Sequence, residues 1–200
     1  MADPTPEQPA PPANATAAGS SGTGSAPRSR SRRRRKRGAG AKAERRYQYW
    51  MIVTSPENFR RTRELGFSIQ GWKSHHRRRV ESIKVGDRLV YYVTGRMSFA
   101  ATATVTSPMY EDHTPIWRTA RREEDYPWRL HIRGDLLPPD QNWVVAKDLA
   151  YRMEYVRKWP PEHWTLAFQG QLHQLAKLDF ELLEVEIGRK KAAPVEVTVG

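Results

Sequence analysis

The sequence predicts an α+β domain, a curved sheet flanked by short helices, carried behind a basic N-terminal arm. All seven tryptophans, eight tyrosines and five phenylalanines fall between Tyr47 and Phe180, so the apolar surface for a core is confined to that stretch. Aromatic and β-branched runs at Tyr49–Val53, Arg88–Thr94 and Ser98–Thr106 read as strands, and Ser55-Pro56 is a helix start set directly after the first of them. These boundaries give an arm over 1–46, a folded domain over 47–187 and a frayed tail over 188–200.

The chain has 200 residues and a net charge of +12. Residues 1–46 hold 11 Lys/Arg against 3 Asp/Glu, so the arm carries most of that excess. Met1 to Ala26 is built from Pro, Ala, Gly, Ser and Thr, too apolar-poor to offset ordering entropy, and is expected to be disordered. Arg28 to Arg37 is a like-charge block that stays extended until it meets phosphates; Arg32, Arg33, Arg34 and Arg35 are its densest part. Such an arm suits nucleic acid, with a solubilising tail or a localisation signal as alternatives. Without cysteine there are no disulfides or thiolate zinc sites, which favours an intracellular location, cytoplasmic or nucleoid/nuclear. No apolar run approaches the roughly 20 residues that span a bilayer, and Met1 to Ala26 lacks the apolar segment of a signal peptide.

Within the domain, Tyr49 to Val53 is a buried strand, and a helix begins at Ser55 and ends at Gly66. Glu57 and Asn58 lie in its first turn, where free backbone N–H groups and a side-chain amide can meet a polar ligand. Phe67 to Trp72 reads as an aromatic-flanked turn about Gly71. Ser74 is placed to cap a short helix whose Val80 and Ile83 face inward. Lys73, His75, His76, Arg77, Arg78 and Arg79 make its other side basic, which fits phosphate contact and an ordinary solvated face equally. Val85-Gly86-Asp87 is a turn. Arg88–Thr94 and Ser98–Thr106 form a hairpin through Gly95-Arg96, and Ala101 and Ala103 suit a tightly curved barrel strand. Ser107 to Trp117 is a long loop ending on an exposed-looking aromatic. Tyr126–Ile132 and Trp143–Val145 are further strands, and Lys147–Tyr151 is a short helix. Leu175 to Ile187 is a closing amphipathic helix with Leu175, Leu178, Leu182 and Leu183 inward.

Catalytic patterns are missing: there is no phosphate-binding G-x-x-x-x-G-K-[ST], no G-x-S-x-G, no H-E-x-x-H and no thiol nucleophile. Glu111, Asp112 and His113 could bind a metal or do acid–base work, but three adjacent polar residues in a loop more often brace it. No catalytic residue, metal or cofactor is assigned.

YWMIVTSPENF, G-F-x-I-Q-G-W, VGDRLVYYVTG, EDHTPIW, KWPPEHW and LAFQG, in that order across Tyr47 to Ile187, resemble the EVE domain of the PUA-like superfamily. The resemblance implies a small curved β-barrel with flanking helices and, through the related YTH and SRA-type readers, a pocket for one modified base. Carried over by position, Ser55 and Asn58 face the base edge, and Asn58 offers both a donor and an acceptor. Gln70, Gly71 and Trp72 line the opposite wall, and Trp117 matches a cage tryptophan. Trp50 is assigned to the core; Trp117 is placed in the pocket; Tyr92 fits either. Lys73, His75, Arg77, Arg78 and Arg79 would hold phosphates beside the arm.

The resulting expectation is a non-catalytic reader that takes a methylated or hydroxymethylated base in DNA or RNA, with no membrane partner. A general RNA-binding accessory protein is the alternative, and an enzyme acting on nucleic acid comes third. Oligomeric state has no signature in the sequence.

Overall fold

Along the first strand, β1 (Tyr49–Thr54), Trp50 and Ile52 pack into one core cluster while Met51 and Val53 pack into another, and all four are buried. The third, β3 (Arg88–Val93), repeats the division, with Leu89, Tyr91 and Val93 on the first side and Val90 and Tyr92 on the second. A strand covered on both faces needs a nearly continuous apolar run, which is what both sequences supply. This computed structural model describes residues 46–118 and 125–192; the expected disordered arm, with Arg32 to Arg35, lies outside them.

The remaining strands are β2 (Ile69–Trp72), β4 (Ser98–Val105), β5 (Tyr110–Glu111), β6 (Trp128–Leu136), β7 (Val144–Val145) and β8 (Leu172–Leu175). The helices are α1 (Pro56–Glu64), α2 (Arg77–Ser82), α3 (Ala146–Ala150) and α4 (Lys177–Ala192). The sheet runs β2-β6-β4-β3-β1-β8, with β5 added to β6 and β7 to β4. β1 and β3 are parallel, from Tyr49↔Arg88 to Thr54↔Val93, while β8 is antiparallel to β1. The fold is α+β, a sheet curled into a half-barrel with short helices around it. Register shifts at Tyr91/Tyr92 and at Thr102/Ala103 mark bulges that bend the strands, and the fully buried Ala100, Ala101 and Ala103 leave room for the curl.

Ser55 caps α1 as expected, its Oγ accepting from Asn58 N at 3.2 Å, and Gly66 follows the helix at φ +63°. The hairpin of β3 and β4 also forms, its tight turn completed by Met97 in a left-handed conformation. Asp87 in the preceding turn is wholly buried and accepts from Lys84 N at 2.9 Å, Gln48 N at 3.1 Å and Trp50 Nε1 at 3.3 Å, so Trp50 is the core residue the sequence indicates.

Four expectations change. Ile69 to Trp72 is strand β2, paired antiparallel to β6 with Gly71 opposite Arg129. Ser74 opens a 3-10 turn (Ser74–His76) without capping it, and its hydroxyl donates instead to the Asp125 carboxylate at 2.8 Å. Leu175 ends β8, and the closing helix starts at Lys177 and runs past residue 188. Its inward face is Phe180, Leu183 and Ile187, whereas Leu178 is 73% exposed. Finally, Trp117 is buried, 7% exposed, at the end of the loop expected to present it.

Candidate functional site

Where β1 gives way to α1, the chain leaves a cleft of about 450 Å³, within the size range of small-ligand sites. Its lining includes Ser55, Asn58 and the Arg118 and Tyr126 to which Asn58 is bonded, together with Lys73, His75 and His76 and, from other segments, Thr94 and Gly170. The corner exists because Ser55-Pro56 turns an extended strand into a helix within one residue, leaving the first turn of α1 at the sheet's edge.

Asn58 is buried and its amide is committed within the protein. Nδ2 donates to Arg118 O at 2.8 Å and to Tyr126 Oη at 3.1 Å, and Oδ1 accepts from Arg118 N at 2.8 Å. It ties Arg118 to α1, and among the described residues Oδ1 accepts one of the two hydrogen bonds it can take. Arg118 then turns its guanidinium to Glu57, with Nε 3.3 Å from the carboxylate.

Lys73, His75 and His76 bring basic residue types to the lining. The His75 and His76 rings lie 4.1 Å apart. Burial, followed by the charges of His75, Arg79, Lys73 and His173, pushes His76 down to about 4, so it is a neutral imidazole at physiological pH. Burial, aided by Arg79, also lowers His173, whose Nδ1 lies 2.7 Å from the Tyr155 hydroxyl. Gln171, at the cleft edge, accepts from Lys73 N at 3.2 Å through Oε1. The cleft is therefore lined by hydrogen-bonding groups together with the cations Lys73 and Arg118.

Of the residues predicted for the pocket, Ser55 and Asn58 line the cleft, joined by Lys73 and His75 from the predicted phosphate group. Gln70, Gly71 and Trp117 form a layer behind it. The Trp117 indole N–H donates to Thr62 Oγ1 at 2.9 Å, and its ring lies so close to Gly71 that a Cβ there would come within 2.3 Å. Gln70 is buried and donates to Gly71 O at 2.7 Å. Trp117 is thus a supporting pillar, with Arg129 5.5 Å from its ring, rather than an open stacking surface. Trp72 is wholly buried in the core, and Tyr92 stacks on Phe168 at 4.4 Å in the second core cluster; neither lines the cleft. Arg77 pairs with Glu81 and lies over Trp128, Arg79 donates to Leu172 O, and Arg78 is exposed.

Tyr126, Thr94, His76 and Arg118 are cleft residues that sequence reasoning missed. Gly170 ends the quoted motif LAFQG and Gln171 follows it, which is the one signal that could have pointed to that end of the cleft. Glu111, Asp112 and His113 brace the neighbouring loop. His113 bridges Glu111 and Asp125, and those two hydrogen bonds raise its pKa. Asp112 accepts from Thr114 N at 2.8 Å and from the buried guanidinium of Arg129. Among the described residues no group of three or more His, Cys, Asp or Glu is placed to hold a metal, and no helix is long and apolar enough to cross a membrane.

Comparison with known proteins gives three kinds of match. Residues 48–140 match the EVE domain family. A UPF0310 protein of Pyrococcus abyssi is 24% identical over 145 residues, covering 68% of this chain and 96% of the relative. Among solved structures, the YTH domain-containing protein mmi1 in complex with RNA superposes with a TM-score of 0.52 at 10% identity, over 71% of this chain and 82% of its own. A hypothetical protein from Leishmania major gives 0.50 at 14% identity, over 72% and 97%.

Proposed function

Residues 48–140 are an EVE domain, and from that we propose that the chain is a non-catalytic nucleic-acid-binding module that takes one modified base into the cleft at the β1–α1 corner. The observation that carries the reading is the cleft itself. It is nucleotide-sized, offers hydrogen-bonding groups to a base, and carries the cations Lys73 and Arg118 for a phosphate. The fold shared with mmi1, whose complex contains RNA, supports nucleic acid as the ligand class.

In this reading Ser55 Oγ and the remaining lone pair of Asn58 meet the base edge, and His76 donates or accepts as a neutral imidazole. Gln70, Gly71 and Trp117 hold that wall in place from behind. The domain over 47–187 binds, and the arm over 1–46, with Arg32 to Arg35, adds sequence-blind contacts to the backbone. The test is a panel of short single-stranded DNA and RNA oligonucleotides, each with one N6-methyladenine, 5-methylcytosine or 5-hydroxymethylcytosine, titrated against unmodified partners. The expected result is a preference of about tenfold or more for one mark, with the oligonucleotide recovered chemically unchanged. Equal affinity across the panel would sink modified-base reading.

A second reading is favoured by one specific feature. Trp117 and Trp72 are both enclosed, so the cleft has no open tryptophan face to stack on a base. That arrangement also suits a general RNA-binding accessory module, which would bind the whole panel alike and still release no product.

A further inference from the structure

We propose that a second groove, across the ridge formed by Pro56 and Gly95 from the cleft, holds a backbone phosphate of the strand whose base enters the cleft. The inference rests on the preceding reading for the ligand being a nucleic-acid strand. The groove encloses about 510 Å³ and is lined by Glu57, Arg60, Arg63, Arg96, Asp140 and Trp143 among others. Its position follows from the chain. Ser55 and Thr94 line the cleft, and Glu57 and Arg96, two residues further along each segment, line the groove. The ridge is a true contact, since a Cβ on Gly95 would come within 2.8 Å of Pro56 Cγ.

Aromatic rings hold the arginines in place. The Arg63 guanidinium lies 5.1 Å from the Phe59 ring centre and 5.7 Å from that of Trp143, and Arg96 lies 5.5 Å from Trp143. Phe59 and Trp143 are themselves packed edge-on at 5.1 Å. A guanidinium resting on an aromatic face loses little further freedom when it binds, and its planar fork of donors matches phosphate oxygens.

Nearby carboxylates do not cancel this charge. Asp140 is paired with Arg63, Glu57 is held by Arg118, and Arg60 leans on Glu64 at 3.7 Å. Among the described residues Arg96 makes no ion pair, so it is the surplus cation of the groove. A strand that places a base between Ser55 and His76 would carry its adjoining backbone over the ridge toward Arg96.

The test uses the full chain and a short single-stranded oligonucleotide, with affinity followed by fluorescence anisotropy between about 50 and 200 mM salt. Arg96→Gln should lower affinity several-fold and reduce the slope of log K against log salt by roughly 0.7, the value for one single-strand phosphate contact. Arg96 is exposed, so the variant should melt as the parent does. Lys177→Gln, a change of equal charge on α4 that lines neither cavity, should leave the slope nearly unaltered. An unchanged slope in Arg96→Gln, or an equal change in Lys177→Gln, overturns the groove. So does an equal loss of poly-glutamate binding in Arg96→Gln, which would mark a surface for any polyanion. The two readings fail separately: a base preference that survives beside an unmoved Arg96 slope removes the groove and keeps the cleft. A reduced slope with no base preferred in the panel removes base reading and keeps the phosphate contact.

Discussion

Asn58 bears on stability and, in the proposed function, on binding, because three hydrogen bonds converge on a side chain that is buried and lines the cleft. Asn58→Ala removes the acceptor of Arg118 N and leaves Arg118 O to the Tyr126 hydroxyl, which donates to it at 3.2 Å, and should cost about 1–3 kcal/mol, read as a lower urea midpoint. Asn58→Asp keeps the acceptor for Arg118 N but loses both donors, so it should recover only part of that loss. Trp117 gives a sharper case. Enclosed by Gly71, Thr62 and Arg129, it should cost roughly 3–5 kcal/mol when truncated to alanine, and Gly71→Ala should lower the melting temperature by driving a methyl into the same ring. A native melt for Trp117→Ala would show that the ring is free to move. Tyr91 works in the opposite direction. Among the described residues its buried hydroxyl has no hydrogen-bond partner, so Tyr91→Phe should leave stability equal or raise it by about 1 kcal/mol, measured in the same denaturant series. His76 adds a pH signature. Its folded pKa lies below the unfolded value, so between pH 6.5 and about 4 the unfolded chain binds more protons, and folding weakens as pH falls through that window. Neutral at pH 7, it costs nothing there. His76→Gln should therefore flatten the melting-temperature profile below pH 6.5, while His173, lowered in the same direction, keeps some of the slope.

At the level of elements, local chemistry was legible where one residue type has one physical meaning. Ser55-Pro56 gave the start of α1, Gly66 its end, and the aromatic and β-branched runs of β1 and β3 gave strands. The misreadings share a cause, which is a tertiary partner that a linear pattern does not reveal. Ile69 to Trp72 looks like a turn because Gly71 interrupts it; it is a strand because Gly71 is the one residue that lets Trp117 close on β2. Leu175 and Leu178 suit helical spacing, yet Leu175 pairs with Tyr49 in the sheet and the true inward face is set by Phe180, Leu183 and Ile187. Leu183→Ala should accordingly cost about 2–5 kcal/mol, whereas Leu178→Ser should be nearly silent in thermal unfolding. In the candidate site, Ser55 and Asn58 were legible from the capping signal and the family resemblance. Tyr126, Thr94 and Arg118 were not, because they reach the corner from segments about 40 to 70 positions away that no local spacing connects.

For the molecule as a whole, the proposed function has the arm and the folded part divide the binding energy by type. Eight basic residues between Arg28 and Arg37 can each displace a counterion. Removal of residues 1–46 should weaken binding to every sequence alike and flatten the salt dependence, while any base preference, which belongs to the cleft, survives. An unaltered salt slope would make the arm a targeting signal or an inert tail. The order of strands carries a different consequence. β1, almost the first element of the domain, is flanked on one side by β3 and on the other by β8, nearly the last, and the Gln48–Gln174 side-chain contact beyond that pair spans 126 positions. During synthesis one edge of β1 therefore waits, apolar on both faces, until the chain past Leu172 has left the ribosome. A truncation that stops short of β8 leaves that edge of β1 uncovered and exposes the strand most able to pair with another copy.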